Sequence, residues 1–240
     1  MNNSDQNLNE EKIDPDLETY LAEMVTPERK EKFEQTLDLR TNYLTAVIED
    51  VRHAQNAGAV VRSCECFGVQ QMHVIENEKE FILHSDVVCG SAQWVDVFRW
   101  NAPDADNTGD CLKKLKEQGY AIAATTLRND LPLMSPEEIP LDRPLALCMG
   151  NEEFGLSDQV HALADYYVRI PMYGFTRSFN ISVSAALCLR ALIQRLHESA
   201  VDWHLSLEER AKITRKWIRA SLKQPERLIN GYYRRKSQTE

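Results

Sequence analysis

The alternation of apolar and polar positions along the chain predicts a repeating order of strands and helices. Short, nearly continuous apolar runs predict buried strands at 43–49, 71–76, 93–98, 120–126, 145–149 and 166–170. Apolar residues at helical spacing predict helices at 26–40, 56–67, 109–118, 157–163, 180–199 and 206–223. Apolar strands that alternate with helices are typical of an α/β fold, in which helices cover both faces of a parallel sheet.

Single residues mark the ends of several predicted helices. Thr26 followed by Pro27 predicts a helix start, and Ser157 predicts another. Gly68 and Gly119 predict left-handed positions where two helices end. The chain then divides into an acidic tail and helix (1–40), an α/β domain (41–200) and a basic helical extension (201–240).

The charge of the chain is unevenly distributed. The 240 residues carry a net charge of −9, which by itself disfavours a nucleic-acid partner. Residues 1–40 hold 11 acidic and 5 basic side chains, whereas residues 205–240 hold 10 basic and 4 acidic ones. The basic end is either a phosphate-facing surface or a solvated helix face, and charge alone does not decide between them.

Composition predicts the compartment of the protein and its lack of a metal. The sequence has neither an 18-residue apolar run nor a basic-then-apolar leader, so we expect a soluble cytoplasmic protein with no membrane partner. Its six cysteines form neither a C-x-x-C pair nor a zinc-like Cys/His pattern. We therefore expect reduced, mostly buried thiols and no metal site.

The loops after the predicted strands carry the candidate chemistry, since ligands bind beyond the carboxyl ends of parallel strands. The G-x-G-x-x-G dinucleotide fingerprint is absent. The segment GNEEFGLS (150–157) has the glycine spacing of a P-loop, but Leu156 replaces the lysine and two glutamates would repel a phosphate. No G-x-S-x-G elbow appears and only His53 lies in these loops, which disfavours a hydrolase.

Three segments resemble the ordered motifs of a known family. The first motif (56–68) reads N-x-G-A-x-x-R-x-x-x-x-F-G, the second (149–157) reads M-G-N-E-x-x-G-L-S, and the third (170–182) reads I-P-M-x-G-x-x-x-S-F-N-x-S. They resemble the SpoU/TrmH family of S-adenosylmethionine (SAM)-dependent RNA ribose 2′-O-methyltransferases over about residues 41–200. Phe179 departs from the family's usual leucine.

Two further segments favour a tRNA-modifying branch of that family. The resemblance is to the members that methylate the D-loop guanosine of tRNA, at position 18. It is seen in GSAQWVDV (90–97), in ATTL (124–127) and in the helical extensions. The resemblance implies a deep trefoil knot near the C-terminal part of the domain and a homodimer formed through the knot region. Sequence patterns alone do not predict a knot, which natural folds almost always avoid.

The resemblance also implies the roles of particular residues. Arg62 would be the catalytic arginine; because a guanidinium is a very poor base, it would bind the adjacent phosphate and engage the 2′-hydroxyl. Asn56 would orient Arg62 across the dimer. The implied catalytic set is Arg62, Asn56, Glu152, Ser178 and Asn180. The implied SAM-binding set is Thr125, Thr126, Met149, Gly150, Asn151, Ile170, Met172 and Phe179. The candidate RNA contacts are Arg169, Arg177, Lys212, Arg215, Lys216 and Arg219.

Two other interpretations remain open at this point. One keeps the chemistry and changes the substrate to rRNA, although such relatives typically carry a separate RNA-binding domain for which about 40 residues are too few. The other is a catalytically silent RNA- or SAM-binding relative. The presence of Arg62 and Glu152 argues against a loss of catalytic activity.

Overall fold

The computed structural model describes residues 14–82 and 90–238, and these belong to two compact units. One unit is Arg40–His204. The other combines the two ends of the chain, Met1–Leu39 and Leu205–Glu240. In chain order the helices are α1 (Pro15–Glu23), α2 (Pro27–Leu37), α3 (Ala54–Cys66), α4 (Asn107–Glu117), α5 (Asp158–Leu163), α6 (Ile181–Glu198), α7 (Leu207–Ser221) and α8 (Pro225–Lys236).

The unit Arg40–His204 is built on a seven-stranded sheet in which every pairing is parallel. Its strands are β1 (Leu44–Glu49), β2 (Gln71–Ile75), β3 (Asp96–Trp100), β4 (Ala121–Thr125), β5 (Leu133–Met134), β6 (Leu145–Met149) and β7 (Tyr166–Val168). The spatial order is β3-β2-β1-β6-β4-β7-β5. All carboxyl ends therefore lie along the same edge of the sheet.

Helices cover both faces of this sheet, as the apolar strands predict. Ala46 and Ile48 of β1 belong to a core cluster that includes residues of α3 and α6. Val47, between them in sequence, points to the opposite cluster with residues of α4 and α5. The apolar residues of the central strands β1, β2, β4 and β6 therefore pack on one of two apolar layers, and the expected α/β class with a parallel sheet is confirmed.

The predicted helix ends are observed. The Thr26 hydroxyl accepts a hydrogen bond from the Arg29 amide at 3.3 Å, and the Ser157 hydroxyl accepts one from the Val160 amide at 3.3 Å. Gly68 has φ 75°. The left-handed region costs glycine little, so this position ends α3 without strain.

Four elements differ from the sequence prediction. The strand expected at 93–98 begins later, because Ser91–Gln93 form a 3₁₀ turn before β3. The helices α1 and α8 and the short strand β5 were not predicted. Helix α1 buries only Leu17 and Leu21, and α8 buries no residue, so neither has an extended apolar stripe. A two-residue strand has no periodicity to detect.

The unit made from the two chain ends is held by ion pairs and an aromatic contact. Arg210 of α7 donates to Glu34 at 2.9 Å and to Asp38 at 2.8 Å. Arg219 donates to Glu18 of α1 at 2.6 Å. The buried Trp217 ring meets the ring of Phe33 edge-on at 5.5 Å between centroids. The opposite charges of the two ends are thus partly paired with each other inside this unit.

The cysteines largely follow the expectation of buried thiols. Cys64, Cys111, Cys148 and Cys188 are buried and unpaired, and burial raises the pKa of each thiol. Cys66 is exposed, so the expectation fails there, because it points away from Cys64 on the helix. Cys89 and the acidic residues 1–13 lie outside the described residues.

Neither a membrane-spanning helix nor a metal-binding cluster is found in the part of the chain that the structure describes. Within residues 14–82 and 90–238, no helix combines the length and apolarity needed to cross a bilayer. The same residues contain no group of three His, Cys, Asp or Glu side chains suited to a metal ion.

We predict that Gly150→Ala disrupts the loop after β6. A β-carbon at position 150 would lie 1.9 Å from the Gly155 carbonyl carbon and 2.1 Å from the Leu156 nitrogen. Both neighbours are backbone, so the loop must move. Circular dichroism should show a lower melting temperature for this variant. In the control Gly174→Ala, the new β-carbon meets nothing within 4 Å, and an unchanged or slightly higher melting temperature is expected. Equal melting temperatures of Gly150→Ala and Gly174→Ala would contradict the close packing at Gly150.

We further predict a pH-dependent stability contribution from His73 of β2. Burial lowers the pKa of its imidazole from 6.5 to about 4. Between these values the unfolded chain binds the proton more tightly, so stability is full above pH 6.5 and falls as pH drops towards 4. The loss is about 3 kcal/mol. Denaturant unfolding at pH 7 and pH 4 should show this loss in the wild type and a smaller loss in His73→Asn. If the free energy of unfolding falls equally in the wild type and in His73→Asn, His73 is not the source of the pH dependence.

Candidate functional site

The loops that carry the three motifs begin at one edge of the sheet. Strands β1, β6, β4 and β7 are consecutive neighbours and end at Glu49, Met149, Thr125 and Val168. The chain segments that follow these residues therefore start side by side. This is the edge at which open parallel sheets bind ligands.

A chain of hydrogen bonds joins one residue from each motif. The Asn56 side-chain amide on α3 donates to Glu152 Oε1 at 2.5 Å. The Asn180 amide, at the start of α6, donates to Asn56 Oδ1 at 3.1 Å. Asn180 also caps its helix, since its Oδ1 accepts from the Ser182 amide at 2.8 Å. Three of the five predicted catalytic residues are thus brought together, although they are 124 residues apart at the extremes.

Glu152, at one end of this chain of bonds, is held in its charged form. Partial burial raises the pKa of its carboxyl, but hydrogen bonds from the Asn56 side chain and from backbone amides, together with the charge of His53, outweigh this effect and lower it. One of these amides belongs to Arg52, at 3.2 Å from Glu152 Oε2. The carboxylate is therefore an acceptor whose position is fixed from two segments of the first loop.

The other two predicted catalytic residues are exposed near this chain of bonds. Arg62 lies six residues after Asn56 on α3, which is about 9 Å along the helix and about 120° around its axis. Ser178 precedes Asn180 by two residues and is exposed in the loop that leads to α6. Arg62 thus projects from a different side of α3 than Asn56 does.

The sequence analysis missed a charged and aromatic cluster at the rim of the site. The Arg52 guanidinium pairs with Glu153 and lies 5.3 Å from the centre of the Phe154 ring. The two adjacent acidic residues therefore bond to different side chains, Glu152 to that of Asn56 and Glu153 to that of Arg52.

The predicted SAM-binding residues surround the ends of β4, β6 and β7. Met149 is buried at the end of β6, and the Thr125 hydroxyl donates to the Cys148 carbonyl at 3.1 Å. Asn151 Oδ1 accepts from the amides of Glu153 and Phe154, which closes the loop after Gly150. Ile170 and Met172 are half-buried and Phe179 is 44% exposed, so apolar side chains are available at this edge.

This residue set fits SAM. The buried Met149 and the half-buried Ile170 and Met172 lie next to loop backbone, and apolar side chains with backbone donors and acceptors suit a ligand with an adenine ring. A phosphate-bearing cofactor suits the set less well, since Glu152 and Glu153 are both acidic.

Arg169 forms hydrogen bonds with the loop that follows β4. Its Nη1 donates to Asn129 Oδ1 at 2.7 Å, and its Nη2 donates to the Arg128 carbonyl at 3.2 Å. Its Nε also donates to the Thr126 carbonyl at 3.5 Å. To reach an RNA phosphate as predicted, the guanidinium would have to release these three partners. Its evident effect is to hold the 126–129 loop that follows β4.

The remaining RNA-contact candidates differ in exposure. Lys212 and Lys216 of α7 are exposed, Arg215 is half-buried, and Arg177 is exposed before Ser178. Arg219 is paired with Glu18. The apolar side of α7 is buried as predicted, because Ile213 and Trp217 are both in the core of their unit.

Comparison with known proteins shows what the chain is related to. Residues 43–190 match the model of the SpoU rRNA Methylase family. A tRNA (guanosine(18)-2′-O)-methyltransferase of Borreliella burgdorferi is 38% identical over 214 residues, which cover 88% of this chain and 95% of that protein.

Two solved structures share the fold. The Aquifex aeolicus TrmH/SpoU tRNA modifying enzyme has a TM-score of 0.71 at 28% identity and covers 82% of this chain and 98% of its own. The SpoU methyltransferase AviRb of Streptomyces viridochromogenes, in complex with AdoMet, has a TM-score of 0.55 at 21% identity, with 69% and 62% covered. The family model spans more than half of the residues, and the chain belongs to the SpoU methylase family.

Proposed function

We propose that this protein transfers a methyl group from SAM to the ribose 2′-hydroxyl of the guanosine at position 18 of tRNA. The observation that carries the proposal is the hydrogen-bond chain Glu152–Asn56–Asn180, which joins the three motifs at one sheet edge. The relative in Borreliella burgdorferi, named for that reaction, matches nearly the whole chain.

The residues have separate tasks in this proposal. When bound, SAM supplies the electrophilic methyl group. Arg62 binds the phosphate next to the target ribose and holds the 2′-hydroxyl, because a guanidinium forms two parallel hydrogen bonds with phosphate. Ser178 and Asn180 position the RNA backbone. Methyl transfer needs the hydroxyl oxygen in line with the methyl carbon, so this positioning is itself catalytic.

We also propose that the active form is a homodimer. Arg62 projects about 120° away from Asn56 on α3, so within one chain it faces away from the bonded residues. Phe179, Val183 and Leu187 are each more than 40% exposed, and the last two are one turn apart on α6. An apolar stripe beside the third motif supports burial against a second copy, with Asn56 of one subunit orienting Arg62 of the other.

The fold and location of the domain follow from the same proposal. Family membership supports a trefoil knot formed where the 169–180 loop precedes α6, within a catalytic domain of residues 41–200. A tRNA substrate supports a cytoplasmic location. Residues 201–240 would form the basic extension that contacts RNA, and its phosphate contacts would be Lys212, Arg215 and Lys216, with Arg177 in the catalytic domain.

We predict 2′-O-methylguanosine at position 18 after incubation of the full chain with SAM and an unmodified tRNA transcript. Nuclease digestion and mass spectrometry identify the nucleoside and its position. A transcript with 2′-deoxyguanosine at position 18 lacks the accepting oxygen and should yield no product. In the same assay, Arg62→Ala should slow transfer at least about 100-fold, because the 2′-hydroxyl loses its positioning group.

Two controls separate chemistry from folding and substrate choice. Arg62→Ala should bind SAM within about twofold of the wild type by calorimetry, and Arg62→Lys, which keeps the charge without the planar fork, should be intermediate in rate. Near wild-type transfer by Arg62→Ala would refute the assignment of Arg62. Methylation of rRNA fragments alone would refute the tRNA substrate.

A further inference from the structure

A buried carboxylate fixes the end of the second motif. Glu49, the last residue of β1, is buried and accepts three hydrogen bonds. The Ser157 amide donates to Glu49 Oε2 at 2.8 Å, and its hydroxyl donates to Oε1 at 2.9 Å. The hydroxyl of Thr108, in the first turn of α4, donates to Oε1 at 2.8 Å. A buried carboxylate with three donors holds Ser157 in place much more firmly than an apolar contact would.

A buried histidine continues this network to the loop after β4. His161 lies one turn beyond Ser157 on α5, and its Nδ1 is 2.8 Å from the Ser157 carbonyl oxygen. Its Nε2 is 3.0 Å from Thr126 Oγ1. Because a carbonyl oxygen only accepts, Nδ1 donates to Ser157, and Nε2 is hydrogen-bonded to the Thr126 hydroxyl. Thr126 Oγ1 in turn accepts from the Arg128 amide at 3.2 Å.

The network joins two loops that leave neighbouring strands. Ser157 ends the loop after β6, and Thr126 begins the loop after β4; these two strands pair directly. The same two loops carry Gly150, Asn151 and Thr126, which the proposed function places around SAM. The imidazole spans the gap with a directional bond at each nitrogen. The ring therefore adds to the β4–β6 pairing and the Arg169 contact to the Thr126 carbonyl in holding the two loops together.

We propose that His161 is a positioning residue that shapes the SAM site through its bond to Thr126. The inference rests on the proposed function, since it takes SAM as the ligand. His161 acts on the ligand only through the loops that it holds. Its loss should therefore affect SAM affinity more than the chemical step or tRNA affinity.

The test compares variants on each side of the bond. Thr126→Val keeps the shape of the side chain and removes the hydroxyl, whereas Thr126→Ser keeps the hydroxyl. His161→Asn keeps an amide near the Ser157 carbonyl, but the shorter side chain cannot form the hydrogen bond to Thr126. For His161→Asn we expect about tenfold weaker SAM binding, a matching rise in the KM for SAM, and an unchanged kcat and KM for tRNA. Thr126→Val should weaken SAM binding to a similar extent.

Two comparisons distinguish positioning from general loss of stability. The double variant Thr126→Val/His161→Asn should bind SAM no more weakly than either single variant, because both remove one shared bond. His73→Asn is the matched control, since His73 is also buried and bonded, at 3.1 Å from Trp100 Nε1, but lies on β2. This control should melt at a lower temperature and bind SAM as the wild type does.

Calorimetric titration of SAM into each full-length protein gives its dissociation constant for SAM. Melting curves without ligand give the stability of each variant. Weaker SAM binding by Thr126→Val and His161→Asn, with recovery in Thr126→Ser, supports the inference. Wild-type SAM affinity in both variants overturns it and leaves the proposed function intact. A wild-type protein that binds no SAM overturns the proposed function and this inference together.

Discussion

The site depends on the parallel pairing of β1, β6, β4 and β7. Because these four neighbouring strands run in the same direction, the segments that follow them all start at one edge. Residues from three distant parts of the sequence then come within hydrogen-bond distance, with Asn56 bonded to both Glu152 and Asn180. A single antiparallel strand among the four would send one motif to the opposite edge. The strand directions are in turn fixed by helices that cover both faces and bury most residues of the central strands β1, β2, β4 and β6.

Below this exposed chain of bonds lies a second, buried layer of polar contacts. Glu49 and His161 bond to the ends of the loops, while Asn56 and Glu152 bond near their exposed parts. The two layers differ in accessibility, since the buried groups cannot exchange their partners for water without a large cost. The exposed layer remains available to RNA. Such a division lets the loops be rigid at their bases and still present polar groups to a substrate.

Much of this arrangement could be predicted from the sequence. Apolar strand patterns predicted the sheet, and Thr26, Gly68 and Ser157 predicted helix ends, because these signals are local. The helix α1 was missed because its charges dominate the pattern, although Leu17 and Leu21 are buried one turn apart. Local patterns also gave no reason to single out Glu49 or His161, since their importance comes from partners 108 and 35 residues away.

The central claim is that Asn56 couples Glu152 to Asn180 in one site. The most direct test is a double-mutant cycle on single-turnover methyl transfer, with Glu152→Ala and Asn180→Ala made alone and together, in the presence of Asn56 and in Asn56→Ala. We predict that the effects of Glu152→Ala and Asn180→Ala are coupled by about 1 kcal/mol when Asn56 is present, and by close to zero in Asn56→Ala. Additive effects of Glu152→Ala and Asn180→Ala in the protein that retains Asn56 would contradict it.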